Sequence, residues 1–330
     1  MTKYSRKYST AAILAALALA LATGCGSDNS TVGVSSDRVV DPLPLTLGNS
    51  WEYSLQQDAY IDVKIDDTTF IPIHVSSTGT QTVNVTRTES ITGDESYGLR
   101  YFHVMNYIFT TGADTTVEVH YLAPRGDMVL LKAIESGYNT GGFIPLGLND
   151  KPQPQRLYAR VNLGGGTHYI PLERLGHILL DPEPAEGVSS SGSTSALASD
   201  GVQNRDNVYF YNYDYVMLYD ELFKGRHWIA SAAQGVGGLE ISRKVTNILP
   251  ELGGYEGPIA EVEETNSLIE SISTLTYKLR FYYKGGVGVV QAEIYDSDFD
   301  FYTYDEQGST YKIGTGTWQV VKKLTGHTVK

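Results

Sequence analysis

Cysteine is nearly absent from this chain: Cys25 is the only one among 330 residues. A disulfide framework is therefore excluded, and so is a site built from several thiolates. Basic residues are also scarce, with 25 Lys and Arg against 38 Asp and Glu and a net charge of −13 at neutral pH. A body of that charge repels polyanions, which argues against nucleic acid and anionic headgroups as its partners. Long apolar runs are missing too. Ala11 to Ala22 is too short to span a bilayer as a permanent helix. Catalytic signatures are lacking as well: there is no Gly-x-Ser-x-Gly elbow, no His-Glu-x-x-His pair and no phosphate-binding loop, since Gly164-Gly165-Gly166 has no Lys after it. The seven histidines are scattered singly. An enzyme is thus the least favoured class, and no cofactor is implied.

What is present begins with a leader. Lys3, Arg6 and Lys7 precede the apolar run, and small residues Thr23 and Gly24 lead to Cys25. Leu21-Ala22-Thr23-Gly24-Cys25 resembles the recognition sequence of bacterial lipoprotein signal peptidase, with Ala22 where that family most often has Leu. The resemblance implies removal of residues 1–24, a diacylglyceryl thioether on Cys25, an acylated N-terminus and a lasting membrane anchor. Loss of the three basic leader residues takes the net charge from −13 to −16. In Gram-negative lipoproteins Asp after the lipidated Cys favours retention at the inner membrane. Gly26 stands there, which implies the outer membrane.

Residues 25–41 are rich in Ser, Gly and Asp without periodicity, and are expected to form a flexible tether. From residue 42 to 330 we expect a single mainly β domain, a curved antiparallel sheet in the form of a half-barrel or open barrel. Ile61/Val63/Ile65, Phe70 to Val75, Val83/Val85 and Tyr101 to Ile108 have the period-two or β-branched character of strands. Tyr121 to Val129 reads as a hairpin, with Pro124 setting φ at the turn and Gly126 free to take positive φ. The best helix candidate is Ile259 to Ile272. Gly137 to Arg156 is broken by Gly and Pro, and the Ser/Gly/Ala stretch Gly187 to Arg205 is expected to be a mobile insertion within the sheet.

Two local patterns are candidate sites. Tyr209, Tyr211, Tyr213, Tyr215 and Tyr219 fall on one face if the run is extended, a platform for glycan or peptide. The blander explanation, cross-strand packing, is favoured because Tyr is abundant throughout the chain, 24 residues in all. Asp296, Asp298 and Asp300 alternate as in a calcium loop, although Phe301 stands where an EF-hand needs Gly and Gln307 where it needs Glu. Calcium is the one metal the sequence suggests. The alternative is a solvated acidic turn.

Pro44-Leu45-Thr46-Leu47-Gly48-Asn49-Ser50-Trp51-Glu52-Tyr53 and Tyr283-Lys284-Gly285-Gly286-Val287-Gly288-Val289-Val290 carry a wider resemblance. They are similar to the PL-x-x-GN-x-W-x-Y and Y-x-x-GVG-x-V motifs of a broad group of uncharacterised bacterial envelope lipoproteins. A partial copy of the second motif, Ala233 to Glu240, suggests an internal repeat. Physically, Gly48-Asn49 suits a turn with positive φ, and Gly286 and Gly288 suit a bulge or a close backbone approach. The group has no common activity to transfer. By analogy with half-barrel lipoprotein carriers, the resemblance implies a non-enzymatic binding or structural protein, with an apolar ligand or a protein partner. A polysaccharide-binding module using the tyrosine stripe is the second reading.

Overall fold

The computed structural model describes residues 37–64, 68–89, 102–111, 114–136, 156–163, 166–172, 208–231, 239–269, 274–305 and 307–330. The leader, Cys25, the expected mobile insertion and most of the partial repeat lie outside these. The described residues fall in one compact unit, Ser36–Lys330.

All sixteen elements assigned among the described residues are strands. In chain order they are β1 Arg38–Val40, β2 Ser50–Lys64, β3 Phe70–Glu89, β4 Phe102–Thr111, β5 Asp114–Arg125, β6 Met128–Ser136, β7 Tyr158–Leu163 and β8 Gly166–Pro171. After these come β9 Val208–Tyr219, β10 Glu221–Phe223, β11 His227–Ser231, β12 Leu239–Leu252, β13 Tyr255–Ile269, β14 Thr274–Lys284, β15 Gly288–Tyr304 and β16 Thr310–Thr328. The main sheet follows β11-β12-β13-β14-β15-β16-β2-β3-β4-β5-β6-β9, with β7 and β8 branching from β15. Every pairing is antiparallel. The mainly β, curved-sheet expectation therefore holds, and the sheet is nearly closed.

Closure is made by side chains. The end strands β9 and β11 share no ladder, but the Trp228 indole on β11 donates to the Val216 carbonyl on β9 at 3.2 Å and meets the Tyr219 ring edge-on.

Alternation decides what lies inside. On β2 the side chains of Trp51, Tyr53, Leu55, Gln57, Ala59 and Ile61 are buried while most of those between them are exposed. The same period carries Trp318, Val320, Lys322 and Leu324 inward on β16. Burying each large apolar side chain contributes about 1.5–3 kcal/mol, and this interior is aromatic-rich. A smaller cluster of Phe102, Val104, Tyr121, Ala123 and Ala133 is buried on β4, β5 and β6, apart from the main core.

Three expectations are corrected. Ile259–Ile269 is strand, paired on one side with β12 and on the other with β14, and not helix. Its Ala260, Val262 and Glu264 point inward with period two, and the buried carboxylate at 264 disguised that pattern. Pro124 lies in β5 opposite Val129, two residues beyond the last pairing with β4 at Leu122, where a missing N–H does no harm. The turn itself is Gly126-Asp127, with positive φ at Gly126 alone, as in a type II′ hairpin. Finally, the end of the expected tether is structured: Arg38–Val40 pairs with β10.

Candidate functional site

The two motif segments meet inside the barrel. Gly48, at φ +86°, turns the chain and donates its N–H to the Val85 carbonyl at 2.9 Å. Asn49 is fully buried beside it; its Nδ2 donates to the Pro44 carbonyl at 3.0 Å, and its Oδ1 accepts from the backbone N–H of Lys330 at 3.0 Å. That staple fixes the start of β2. Trp51 then donates from Nε1 to the carbonyl of Val287, and Tyr53 donates from its hydroxyl to the carbonyl of Val289 at 3.0 Å.

The glycine-rich loop is shaped for that contact. Gly285 to Val287 forms the three-residue connection between β14 and β15, closed by Val287 N–H to Lys284 O at 3.1 Å. A Cβ on Gly288 would sit 3.1 Å from the Trp51 Nε1, and one on Gly285 only 2.5 Å from the Val40 carbonyl. Close approach, one of the two roles expected of Gly286 and Gly288, is what the packing requires of Gly288 and also of Gly285, whereas a Cβ on Gly286 would meet nothing within 4 Å.

Beside this contact lies a cavity of about 40 Å³, lined by Trp51, Tyr53, Tyr107, Met217, Tyr283 and Lys322 among others. It has room for a little water, well short of the ~150 Å³ that a benzene-sized apolar guest occupies. Among the described residues the only charged side chain in its wall is Lys322, whose Nζ lies 4.7 Å from the Tyr53 ring centroid. No carboxylate or imidazole lines that wall among the described residues.

A buried ionic clasp lies nearby. Arg243 on β12 donates from Nε to Glu264 on β13 at 2.6 Å, from Nη2 to the Tyr215 hydroxyl at 3.1 Å, and from Nη1 to the Met217 carbonyl. Tyr215 and Met217 belong to β9, so the clasp ties the two ends of the sheet. Burial opposes the Arg243 charge, but Glu264, Tyr215 and Tyr283 more than compensate and hold the guanidinium protonated even more firmly than usual. Burial pushes the Tyr283 hydroxyl up to about 12; Arg243 opposes this and Glu264 reinforces it.

The candidate residues taken from the sequence lie elsewhere. Tyr209 is opposite Ile134 and Tyr215 opposite Leu131, but β6 advances two residues from Leu131 to Ala133 while β9 passes from Tyr215 back to Phe210. Tyr211 and Tyr213 fall in that irregular stretch, so the continuous extension assumed for the stripe is interrupted. The side chains of Tyr209, Tyr211 and Tyr213 lie outside the described residues; Tyr215 is buried against Arg243, and Tyr219 packs on Trp228 with Arg226 3.7 Å above its ring. A register shift between Asp296 and Phe299 likewise breaks the alternation of the three aspartates. Asp296 accepts from the Asp298 N–H at 2.9 Å, whereas Asp300 accepts from Thr315 at 2.9 Å and pairs with Lys312 at 2.5 Å. Among the described residues no three His, Cys, Asp or Glu side chains are grouped to hold a metal.

Lys322, Arg243 and Glu264 were not singled out from the sequence. Their signal was a charge at an inward position of an alternating run: Trp318-Val320-Lys322-Leu324, Ile241-Arg243-Val245 and Ala260-Val262-Glu264.

The fold defines a class: a nearly closed, barrel-like antiparallel sheet. No family model matches the chain, and no curated protein matches it. Two solved structures resemble it. One is a provisionally assigned lipoprotein from Parabacteroides distasonis, 13% identical, with a TM-score of 0.32 over 88% of this chain and 99% of that one. The other is a provisionally assigned exported protein from Bacteroides fragilis with a YmcC-like fold, 10% identical, with a TM-score of 0.26 over the same shares. At these scores the architecture rests on the strand pairing of this chain itself.

Proposed function

We propose that the chain is a non-enzymatic envelope lipoprotein, anchored through Cys25 in the outer membrane, whose body serves as a structural or protein-binding module. The observation that carries the reading is the small volume of the cavity at the contact between the two motif segments, among the described residues. A carrier of acyl chains needs a pocket of several hundred Å³, and about 40 Å³ beside Trp51 and Lys322 is an order of magnitude too small. On this reading recognition belongs to the outer surface of the barrel.

Two measurements test the proposal. Labelled palmitate should enter the wild-type chain and not the Cys25→Ser variant; equal labelling of both would remove the anchor. Native mass spectrometry after incubation with palmitic acid or lysophospholipid should show no retained ligand. A stoichiometric bound acyl chain would overturn the reading.

A further inference from the structure

The hairpin of β2 and β3 extends well past its neighbour. The β3 ladder with β4 ends at Thr80, whereas its ladder with β2 continues to Phe70. Among the described residues, Phe70 to Gly79 therefore pairs on one side only, leaving an open edge of roughly 34 Å at the strand rise. The side chains there are apolar and exposed: Phe70 55%, Ile71 46%, Ile73 42% and Val75 40%.

Natural sheets blunt such edges with charge, bulges or proline. Here no Asp, Glu, Lys or Arg occurs from Phe70 through Thr86, in a chain that is 19% charged. Pro72 is the only blunting device, and it removes a single donor. The β2–β3 ladder carries no register shift along this stretch. Neutrality matters most for one kind of partner. A second copy brings the same acidic excess, a net charge of −16 once the leader is lost, so an acidic residue near the two-fold axis would lie close to its own image.

The edge is also complementary to itself. Antiparallel pairing centred on Ile73 sets Ile71 against Val75 and Ile73 against Ile73 on one face. On the other face it sets Pro72 against His74, the ring that stacks on Tyr60 at 4.3 Å and bonds to Asp58 at 3.0 Å. We propose that β3 pairs with β3 of a second copy through Phe70–Ser76, forming a two-fold dimer with one sheet continuous across both barrels. The dimer names the partner for the protein-binding body proposed above, rests on that reading, and is independent of the anchor.

Cysteine placement tests it in the full membrane-bound chain. Residue 73 lies next to its own copy, within disulfide reach, while residue 77 lies ~27 Å from its copy. Under mild oxidation Ile73→Cys should give a covalent dimer, and wild type and Ser77→Cys should not. Mixing Ile71→Cys with Val75→Cys chains should give the heterodimer. Adding Ile73→Lys to that mixed pair should abolish it. A thiol at 73 that reacts freely with maleimide yet never cross-links would overturn the dimer. Equal cross-linking at 73 and 77, which marks random collision, would do the same. So would protection of residue 73 without dimer, which would mark a different occupant of the edge. Palmitate labelling of the same variants reads the anchor separately, so loss of the dimer with labelling intact refutes self-pairing alone.

Discussion

Single residues in the interior carry opposite kinds of risk. Arg243 holds a buried carboxylate, a buried hydroxyl and a carbonyl, so truncating it leaves Glu264 charged and without its counter-ion in the core. Arg243→Met should cost about 3–5 kcal/mol in urea denaturation, and adding Glu264→Leu should restore most of it, because removing both charges also removes their desolvation cost. Glycines 286 and 288 offer a cleaner contrast. Both have positive φ, +66° and +109°, but an added methyl at 286 meets nothing within 4 Å, whereas at 288 it meets the Trp51 indole at 3.1 Å. Gly286→Ala should cost about 1–2 kcal/mol for the backbone alone. Gly288→Ala should cost more and shift the tryptophan emission, read in the same denaturation series.

At the scale of elements, the pair β1–β10 carries a pH dependence. Burial, then the charge of Asp220, raises the Asp41 carboxyl; burial, then Asp127, raises Asp220 against a smaller opposing effect of Arg226. The folded-state values thus stand above the unfolded ones, and the native chain binds more protons in the window just above about pH 4. Stability falls as pH rises through that window. Asp220→Asn should therefore raise Tm at pH 7, and the gain should fade as pH drops below about 4; a gain that persists there would show that charge is not its source. The strands themselves differed in legibility. β2 could be read because Trp51, Tyr53, Ala59 and Ile61 alternate with polar residues. β13 could not, because Glu264 occupies an inward position and only its partner Arg243, 21 residues away, makes that tolerable. Local pattern cannot register a compensation that distant.

For the whole molecule, the antiparallel class followed from period-two patterning and turn residues, since those are local. Closure did not. Trp228 and Val216 are only 12 residues apart and Arg243 and Met217 only 26, but that these contacts join the two ends of one sheet depends on the curvature of twelve strands, which no spacing in the chain encodes. The motif residues were visible as motifs, but their mutual contact across 236 positions was not. Nor could the volume of the interior be read, because it depends on how Trp51, Tyr107, Tyr283 and Lys322 fill one another's gaps.

The three-residue strand β1 has a mechanical consequence. A load applied at the N-terminus reaches the barrel first through Arg38–Val40, where three residue pairs, the buried Val39, the Arg38–Glu221 ion pair and the bonds of Asp41 to Asp220 and Gly286 resist it. The next firm point is Asn49, bonded to Pro44 and Lys330 and followed by the long ladders of β2. Between the two lies at most ~40 Å of extended chain. Single-molecule pulling from the N-terminus should therefore show one early, low-force lengthening of no more than that size before the barrel yields. In that arrangement β1 is a mechanical fuse, giving way under tension while the sheet behind it keeps its shape.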